Sequence, residues 1–322
     1  MTPFSSFSSL APLAPGAIHA RKRPLAIAFV FLMELAWALV IATPVHTWAR
    51  RVWGSHPDGD ATLFADGARN LMVWLGQGDA ALAVTARTTV VLLVVGAVLM
   101  QLPFGALVAS LAFAREERVE DADGQHVRLR SLRLRGALQI GVSAFLPLSV
   151  VLVLGSVASI LVLVLGGLAV SALDTTLTEA FGDARAFTVR VVLFGVLAAV
   201  TAVIGVVVDL TRAAVVRESG LSAARGTAAP AWNVMLRAVR VALKTSRRSL
   251  GRATLGWTGR AVVGLALLAI GYVAADELGG RGGLSLALLF VIHQGVVLGR
   301  VALRASWMAR ALGLVAPVQD AL

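Results

Sequence analysis

The stretch of sequence that decides the fold runs from residue 137 to 173 and reads ALQIGVSAFLPLSVVLVLGSVASILVLVLGGLAVSAL. A helix needs about 20 apolar residues to cross the roughly 30 Å hydrocarbon core of a bilayer, and this run has no acidic or basic side chain. A turn inside lipid would leave backbone N–H and C=O groups without hydrogen-bond partners. We therefore predict one long helix, bent at Pro147. Two shorter spans are the alternative, and they would invert the orientation of every later segment.

The rest of the chain has the same apolar character. Of its 322 residues 58% are hydrophobic and 15% are charged, and the mean hydropathy is +0.83. That composition leaves too little polar surface for a soluble fold. We predict an all-α membrane protein with a flexible cytoplasmic leader (1–24), a single bundle of six transmembrane helices (25–310) and a cytoplasmic tail (311–322). The six apolar runs are 25–45, 90–114, 137–173, 189–208, 256–275 and 284–303.

The basic residues are distributed unevenly between alternate connections. All but seven of the 29 Lys and Arg residues lie in the leader, in the 115–136 loop, in the 212–260 stretch or after residue 299. Cationic segments stay on the cytoplasmic side of a membrane, so both termini are predicted to be inside. Lysine is rare, a bias typical of a GC-rich genome, and we therefore place the chain in a bacterial inner membrane. The seven arginines predicted to lie outside are Arg50, Arg51, Arg69, Arg87, Arg185, Arg190 and Arg281.

No motif in the sequence carries catalytic chemistry. The chain has no cysteine, which removes disulfides, thiolate metal sites and cysteine nucleophiles. The sequence also lacks a P-loop, the zinc motif H-E-x-x-H, the serine-hydrolase motif G-x-S-x-G and a dinucleotide glycine fingerprint. We therefore predict no catalytic residue, no metal and no cofactor, and an enzyme is the least expected class of protein.

Ionisable side chains at the ends of apolar runs form the first candidate binding site. Each costs a few kcal/mol in hydrocarbon unless it is paired or hydrated. Asp209 and Arg212 follow the fourth run, Arg260 lies early in the fifth and Arg300 late in the sixth, so all four are predicted near the inner interface. We interpret them as an ion-pair cluster that locks three spans together. A binding site for an anionic lipid or substrate headgroup is the alternative.

A second, deeper candidate is the pair formed by Glu34 in the first run and His293 in the sixth. At 1.5 Å per residue the two lie at a similar depth on helices that run in opposite directions. We predict that spans one and six are neighbours and that the pair meets inside the bundle, where it would relay a proton if water reaches it. The alternative is that backbone or hydroxyl groups satisfy each side chain separately.

Small residues four positions apart mark two predicted helix contacts. Gly105-x-x-x-Ala109 lies in the second run and Gly295-x-x-x-Gly299 in the sixth. Such spacing lets two helix backbones approach closely. We interpret both pairs as packing surfaces rather than binding sites.

The connection between runs four and five is predicted to contain an amphipathic helix that lies on the cytoplasmic membrane surface. Pro230 suits a first helical turn, and Trp232, Met235 and Leu236 begin an apolar face. Basic side chains flank that face and can reach the phosphates of anionic lipids. A docking helix for a membrane or cytoplasmic protein partner is the alternative. The predicted lipid-contacting residues are Trp232, Arg237, Arg240, Lys244, Arg247 and Arg248.

The 115–136 loop combines an acidic block with a basic run around the turn signal Asp123-Gly124. We interpret this loop as a positive tether beside lipid headgroups. It has no Phe, Trp or Tyr that could stack on a base, and nucleic acid is not an expected partner.

The segment from Asp209 to Glu218 reads DLTRAAVVRE and is followed, after a short loop, by the basic helix at 231–248. This arrangement resembles a broad group of uncharacterised bacterial six-helix membrane proteins. It is similar to the membrane domain fused to some glycerophosphodiester phosphodiesterases, and elsewhere the likeness is one of hydropathy. The resemblance implies a fold and a membrane but no reaction, because these 322 residues contain no phosphodiesterase domain.

The sequence therefore predicts a non-enzymatic membrane scaffold or assembly module that contacts anionic lipid at the cytoplasmic face or a partner subunit. The alternative is a transporter or permease subunit for a small solute or lipid, which would need a polar pathway through the bundle. Spans one to three and four to six show no sequence repeat of the kind that many transporters contain.

Overall fold

The computed structural model describes residues 20, 23–54, 80–113, 117–120, 126–129, 134–224, 230–278 and 283–315. Within these residues the chain is helical apart from one small hairpin. The helices are α1 (Pro24–Trp53), α2 (Ala80–Leu99), α3 (Gln101–Ala112), α4 (Leu134–Ala224), α5 (Ala231–Leu278) and α6 (Leu284–Val315). The hairpin consists of β1 (Glu117–Glu120) and β2 (His126–Leu129), paired antiparallel.

The hairpin lies in the 115–136 loop, for which the sequence predicts a turn but no strands. Its two strands flank the predicted turn at Asp123-Gly124, which itself lies outside the described residues. Most of the predicted leader also lies outside them. At the other end of the chain α6 continues to Val315, so the helix takes in the start of the predicted tail.

Five helical segments among the described residues are long and apolar enough to cross a membrane: α1, the consecutive helices α2 and α3, α4, α5 and α6. The predicted helical and apolar architecture is therefore confirmed. The run from 137 to 173 lies within α4, which continues through Pro147. Non-helical backbone occurs instead at Gly182, where φ is 72°. Glycine adopts this left-handed conformation without the steric cost of a Cβ, so α4 changes direction there.

Gly182 divides α4 into a first arm (134–181) and a second arm (183–224). The arms lie against each other, because Gly155 in the first arm faces Val208 in the second, and Gly166 faces Leu197. Residue numbers rise along one arm as they fall along the other, which is the register of an antiparallel helical hairpin.

Buried side chains gather at one end of the helices, the end that carries most of the basic residues. There, α3 packs between α1, α4 and α6, and fully buried residues include Leu107, Leu148, Leu210 and Met308. Towards the other end, large apolar side chains fill the exposed surface, as Val192 illustrates with 59% exposure. An apolar surface of this extent is unfavourable in water and suits lipid acyl chains.

Close helix contacts are made where glycine removes the side chain. A Cβ added to Gly141 of α4 would lie 2.9 Å from the backbone nitrogen of Ala106 in α3, and Gly105 faces the same glycine. The predicted packing role of the Gly105 pair is confirmed. Gly299 likewise faces Leu267 of α5, whereas a Cβ on Gly295 would meet nothing within 4 Å. The Gly295 half of the second prediction is therefore wrong.

Candidate functional site

The carboxylate of Asp209, in the second arm of α4, is the centre of a buried polar cluster. Its Oδ1 pairs with Nη1 of Arg212 at 3.1 Å, and its Oδ2 accepts a hydrogen bond from Nε1 of Trp307 at 3.0 Å. Nη2 of Arg304 lies 3.8 Å from Oδ1. A buried carboxylate is costly unless it is paired and hydrogen-bonded, and here both oxygens have partners. The cluster consequently joins α4 to α6.

Phe104 of α3 holds two of these arginines from the opposite side. The guanidinium carbon of Arg304 lies 4.7 Å from the centre of the Phe104 ring, and that of Arg212 lies 5.7 Å from it. Cation–π attraction at such distances contributes about 0.5–2 kcal/mol. The aromatic ring therefore stabilises two like charges beside a single carboxylate.

Arg260 connects α5 to α6 at the same level. Its Nη1 donates to the carbonyl of Gly256 at 2.7 Å, while Nε and Nη2 donate to the hydroxyl of Ser306 at 3.2 and 3.1 Å. The guanidinium also lies 6.0 Å from the Trp307 ring. These contacts fix the side chain of Arg260 against α6.

A cavity of about 450 Å³ lies beside this cluster between α5 and α6, and we name it the α5–α6 cavity. Its wall is polar at one end and apolar at the other. Because Leu265 and Leu268 follow Arg260 along α5, the apolar part extends about 8–12 Å from the arginines. The polar lining comprises Asp209, Trp257, Arg260, Arg300, Arg304 and Trp307, and the apolar lining comprises Ala261, Gly264, Leu265, Leu268 and Leu303.

A second cavity, of about 360 Å³, lies among α1, α2, α3, both arms of α4 and α6, and we name it the central cavity. Four polar residues line it: Glu34, Gln101, Arg212 and Arg304. The remaining lining is apolar and comprises Val30, Ala97, Met100, Phe104, Leu107, Leu152 and Val301. Arg304 lines both cavities.

The structure brings together the four charged residues predicted near the inner interface. Asp209, Arg260 and Arg300 line the α5–α6 cavity, and Arg212 pairs with Asp209. Arg304, which lies one helical turn after Arg300, was not predicted as a site residue. Nor were the residues that hold the charges in place, Phe104, Ser306 and Trp307.

The predicted pairing of Glu34 with His293 is not found, although α1 and α6 are neighbours as predicted. Nδ1 of His293 lies 2.9 Å from the carbonyl of Leu289 in its own helix, and the imidazole lies beside Gly271 of α5. Glu34 instead lines the central cavity. The alternative, in which backbone or hydroxyl groups satisfy each side chain separately, fits His293, while for Glu34 it stays a prediction.

The helix predicted on the membrane surface forms the first part of α5, from 231 to 248, before non-helical torsions at Ser249. Trp232, Leu236 and Leu243 are exposed, whereas Met235, three residues after Trp232, is buried. An open groove is lined by Arg240, Leu243, Lys244, Arg247 and Arg248. Of the other predicted lipid contacts, Arg237 is exposed.

Comparison with protein-family models, curated proteins and solved structures finds no match to this chain. The class of protein is therefore indicated by the fold alone. Five long apolar helices with an exposed apolar surface are compatible with a multi-pass membrane protein.

Proposed function

We propose that this protein is a multi-pass protein of a bacterial inner membrane that crosses the bilayer six times, with both termini in the cytoplasm. The break at Gly182 supports this number, because each arm of α4 is long enough to cross separately. An even number of crossings leaves both ends on the same side. That side carries most of the basic residues and the packed end of the bundle.

The level of the bilayer follows from the charges on the second arm of α4. Between Arg190 and Asp209 lie only uncharged residues, which span about 27 Å at 1.5 Å per residue. This length is close to the roughly 30 Å of hydrocarbon. The Asp209 cluster would then lie at the inner interface, where Trp257 and Trp307 are also expected.

We propose further that the protein is a non-enzymatic module that binds an anionic lipid at this interface. The α5–α6 cavity carries this proposal, because three arginines and one aspartate line it and Asp209 already has two close partners. Arg300 and Arg304 lie one helical turn apart and are both exposed. A lipid phosphate beside them would relieve their repulsion, and its acyl chain would continue along Leu265 and Leu268.

The exposed part of the surface helix supports the same lipid preference. Arg240, Arg247 and Arg248 are exposed beside Leu243 and Trp232. Long basic side chains can reach anionic headgroups while neighbouring apolar side chains enter the acyl boundary. If the protein is a scaffold, a partner subunit could dock on this helix instead of lipid. The likeness to the membrane domain of some glycerophosphodiester phosphodiesterases also stays a proposal.

Replacing Arg300 and Arg304 with Gln is expected to weaken binding of phosphatidylglycerol roughly 30-fold, since each basic residue near the headgroups contributes about 1 kcal/mol. Binding of phosphatidylcholine should change little. Affinities for short-chain forms of both lipids can be measured by thermal stabilisation of the purified protein in detergent.

Two matched double variants make this test specific. Arg50→Gln with Arg51→Gln removes two exposed arginines at the other end of α1 and should leave both affinities unchanged. Arg240→Gln with Arg247→Gln measures the separate contribution of the surface helix. Equal affinity of the unmodified protein for the two lipids would contradict the proposal.

A further inference from the structure

The central cavity differs chemically from the α5–α6 cavity, because its carboxylate is that of Glu34, whereas Asp209 of the α5–α6 cavity already has two close partners. Gln101 of α3 contributes an amide to the central cavity, and Arg212 and Arg304 contribute guanidinium groups. The four side chains come from four helices that are far apart in sequence. Their meeting at one cavity is therefore a product of the tertiary fold and not of a local motif.

Gln101, which lines this cavity, has a buried amide oxygen without a partner among the described residues. The residue is 7% exposed, and its Nε2 donates to the carbonyl of Ala97 at 2.9 Å. Because a carbonyl can only accept, the other amide atom must be Oε1, and Oε1 has no hydrogen-bond partner among the described residues. A buried oxygen left without a partner costs about 1–3 kcal/mol, and buried polar groups are normally satisfied.

Arg212, which also lines the cavity, carries a second buried group without a partner in the described part of the chain. It is 6% exposed, and its Nη1 pairs with Asp209 while its Nε has no partner among the described residues. A buried acceptor and a buried donor, each without a partner among the described residues, thus belong to residues that line the central cavity. At about 30 Å³ per water the space would hold roughly a dozen waters, which is also enough room for a small organic group.

The arrangement of charges restricts the chemistry of that group. A simple anion would be attracted by Arg212 and Arg304 but repelled by Glu34, and a simple cation would meet two guanidinium groups. A ligand with a cationic donor and an anionic acceptor a few atoms apart can satisfy both sides.

We propose that the central cavity binds a zwitterion that carries an ammonium group and a carboxylate or phosphate. The ammonium group contacts Glu34, and the anionic group contacts the guanidinium groups of Arg304 and Arg212. The same chemistry has two sources, a free solute of the amino-acid type and the headgroup of phosphatidylethanolamine. This site is separate from the anionic-lipid site, with which it shares only Arg304.

Because the chain has no cysteine of its own, occupancy can be measured with single cysteines in the full-length protein. Val301 lines the central cavity and is 3% exposed, while Ala305, one turn further along α6, is fully buried in the packed core. In micelles of an uncharged maltoside detergent, the anionic reagent sulfonatoethyl methanethiosulfonate should label Val301→Cys and should not label Ala305→Cys.

Protection from labelling then identifies the ligand and its source. Glycine is the free zwitterion added to the solution, and phosphatidylethanolamine is the lipid zwitterion added to the detergent micelles. At ten times its Kd the true ligand should slow labelling of Val301→Cys roughly tenfold. Protection by glycine alone supports a solute site, and protection by phosphatidylethanolamine alone supports a headgroup site. Glu34→Gln, which removes the negative charge at nearly constant shape, should abolish either protection.

Three results would overturn the proposal: no labelling of a folded Val301→Cys protein, labelling that neither zwitterion slows, or equal protection by inorganic phosphate. Thermal unfolding of each variant establishes that it is folded. In the unmodified protein, the zwitterion that protects should also raise the unfolding temperature. Because Arg260 lines the α5–α6 cavity and not the central cavity, Arg260→Gln should leave zwitterion protection intact even if it weakens phosphatidylglycerol binding, so the two proposals can fail separately.

Discussion

Replacing Asp209 with Asn is expected to lower the free energy of unfolding by about 3–5 kcal/mol, the range for removing one partner of a buried ion pair. Asp209 and Arg212 are 7% and 6% exposed, and their side chains are 3.1 Å apart. Without the carboxylate, the positive charge of Arg212 has no counter-charge at that distance, and Nε1 of Trp307 loses a charged acceptor. Chemical unfolding of the purified protein in mixed micelles gives the change.

A matched control exists in the same helix. Asp174 pairs with Arg190 at 2.5 Å, but the Asp174 side chain is 52% exposed, so Asp174→Asn should cost about 1 kcal/mol or less. Replacing both Asp209 and Arg212 with Leu removes the two charges together and should be much less damaging than Asp209→Asn alone. Similar losses for Asp209→Asn and Asp174→Asn would show that the Asp209 cluster does not hold the bundle together.

Replacing Gly141 with Val is expected to destabilise the protein by about 1–3 kcal/mol or more, because it overpacks a close backbone contact between α3 and α4. A Cβ at this position would lie 2.9 Å from Ala106 N and Leu102 O, which are backbone atoms. Unlike a flexible side chain, these atoms can move only if all of α3 shifts.

Gly167→Val is the appropriate control for this substitution. Gly167 lies in the same arm of α4, and a Cβ there would meet nothing within 4 Å, while the change in helix propensity is the same. Thermal unfolding should therefore separate the two variants clearly. A loss of stability at Gly167→Val as large as that at Gly141→Val would contradict the close packing of α3 on α4.

The apolar helices were predictable because length and hydropathy are properties of a single segment. The position of the break in α4 was harder to predict, since the polar residues after 173 suggested a loop. In the structure helix continues on both sides of Gly182. A polar segment without proline can extend a membrane helix. A single glycine is then sufficient for the turn.

The candidate site was predictable only where a residue contrasts with its neighbours in the sequence. Asp209 and Arg260 stand out beside apolar runs, but Arg304 follows the sixth run and resembles an ordinary basic residue at the interface. Phe104 gives no signal, because a phenylalanine in an apolar run is unremarkable until two arginines approach it. Its role depends on the packing of α3 against α4 and α6.

The error at Glu34 and His293 has a geometric cause. Counting residues along a span gives the depth of a side chain but not the direction in which it points around the helix axis. His293 turns towards α5 and is satisfied by the carbonyl of Leu289 four residues earlier. Glu34 turns towards Gln101 and the arginines, which no periodicity in the sequence indicates.

The six-span arrangement is tested most directly by single cysteines on either side of the second arm of α4. Asp183 and Ala223 are both exposed and lie near its two ends. In intact spheroplasts, a membrane-impermeant maleimide should label Asp183→Cys at once and Ala223→Cys only after the membrane is permeabilised. The reverse order, or labelling of both cysteines from one side, would contradict a hairpin that crosses the membrane twice with its tip outside.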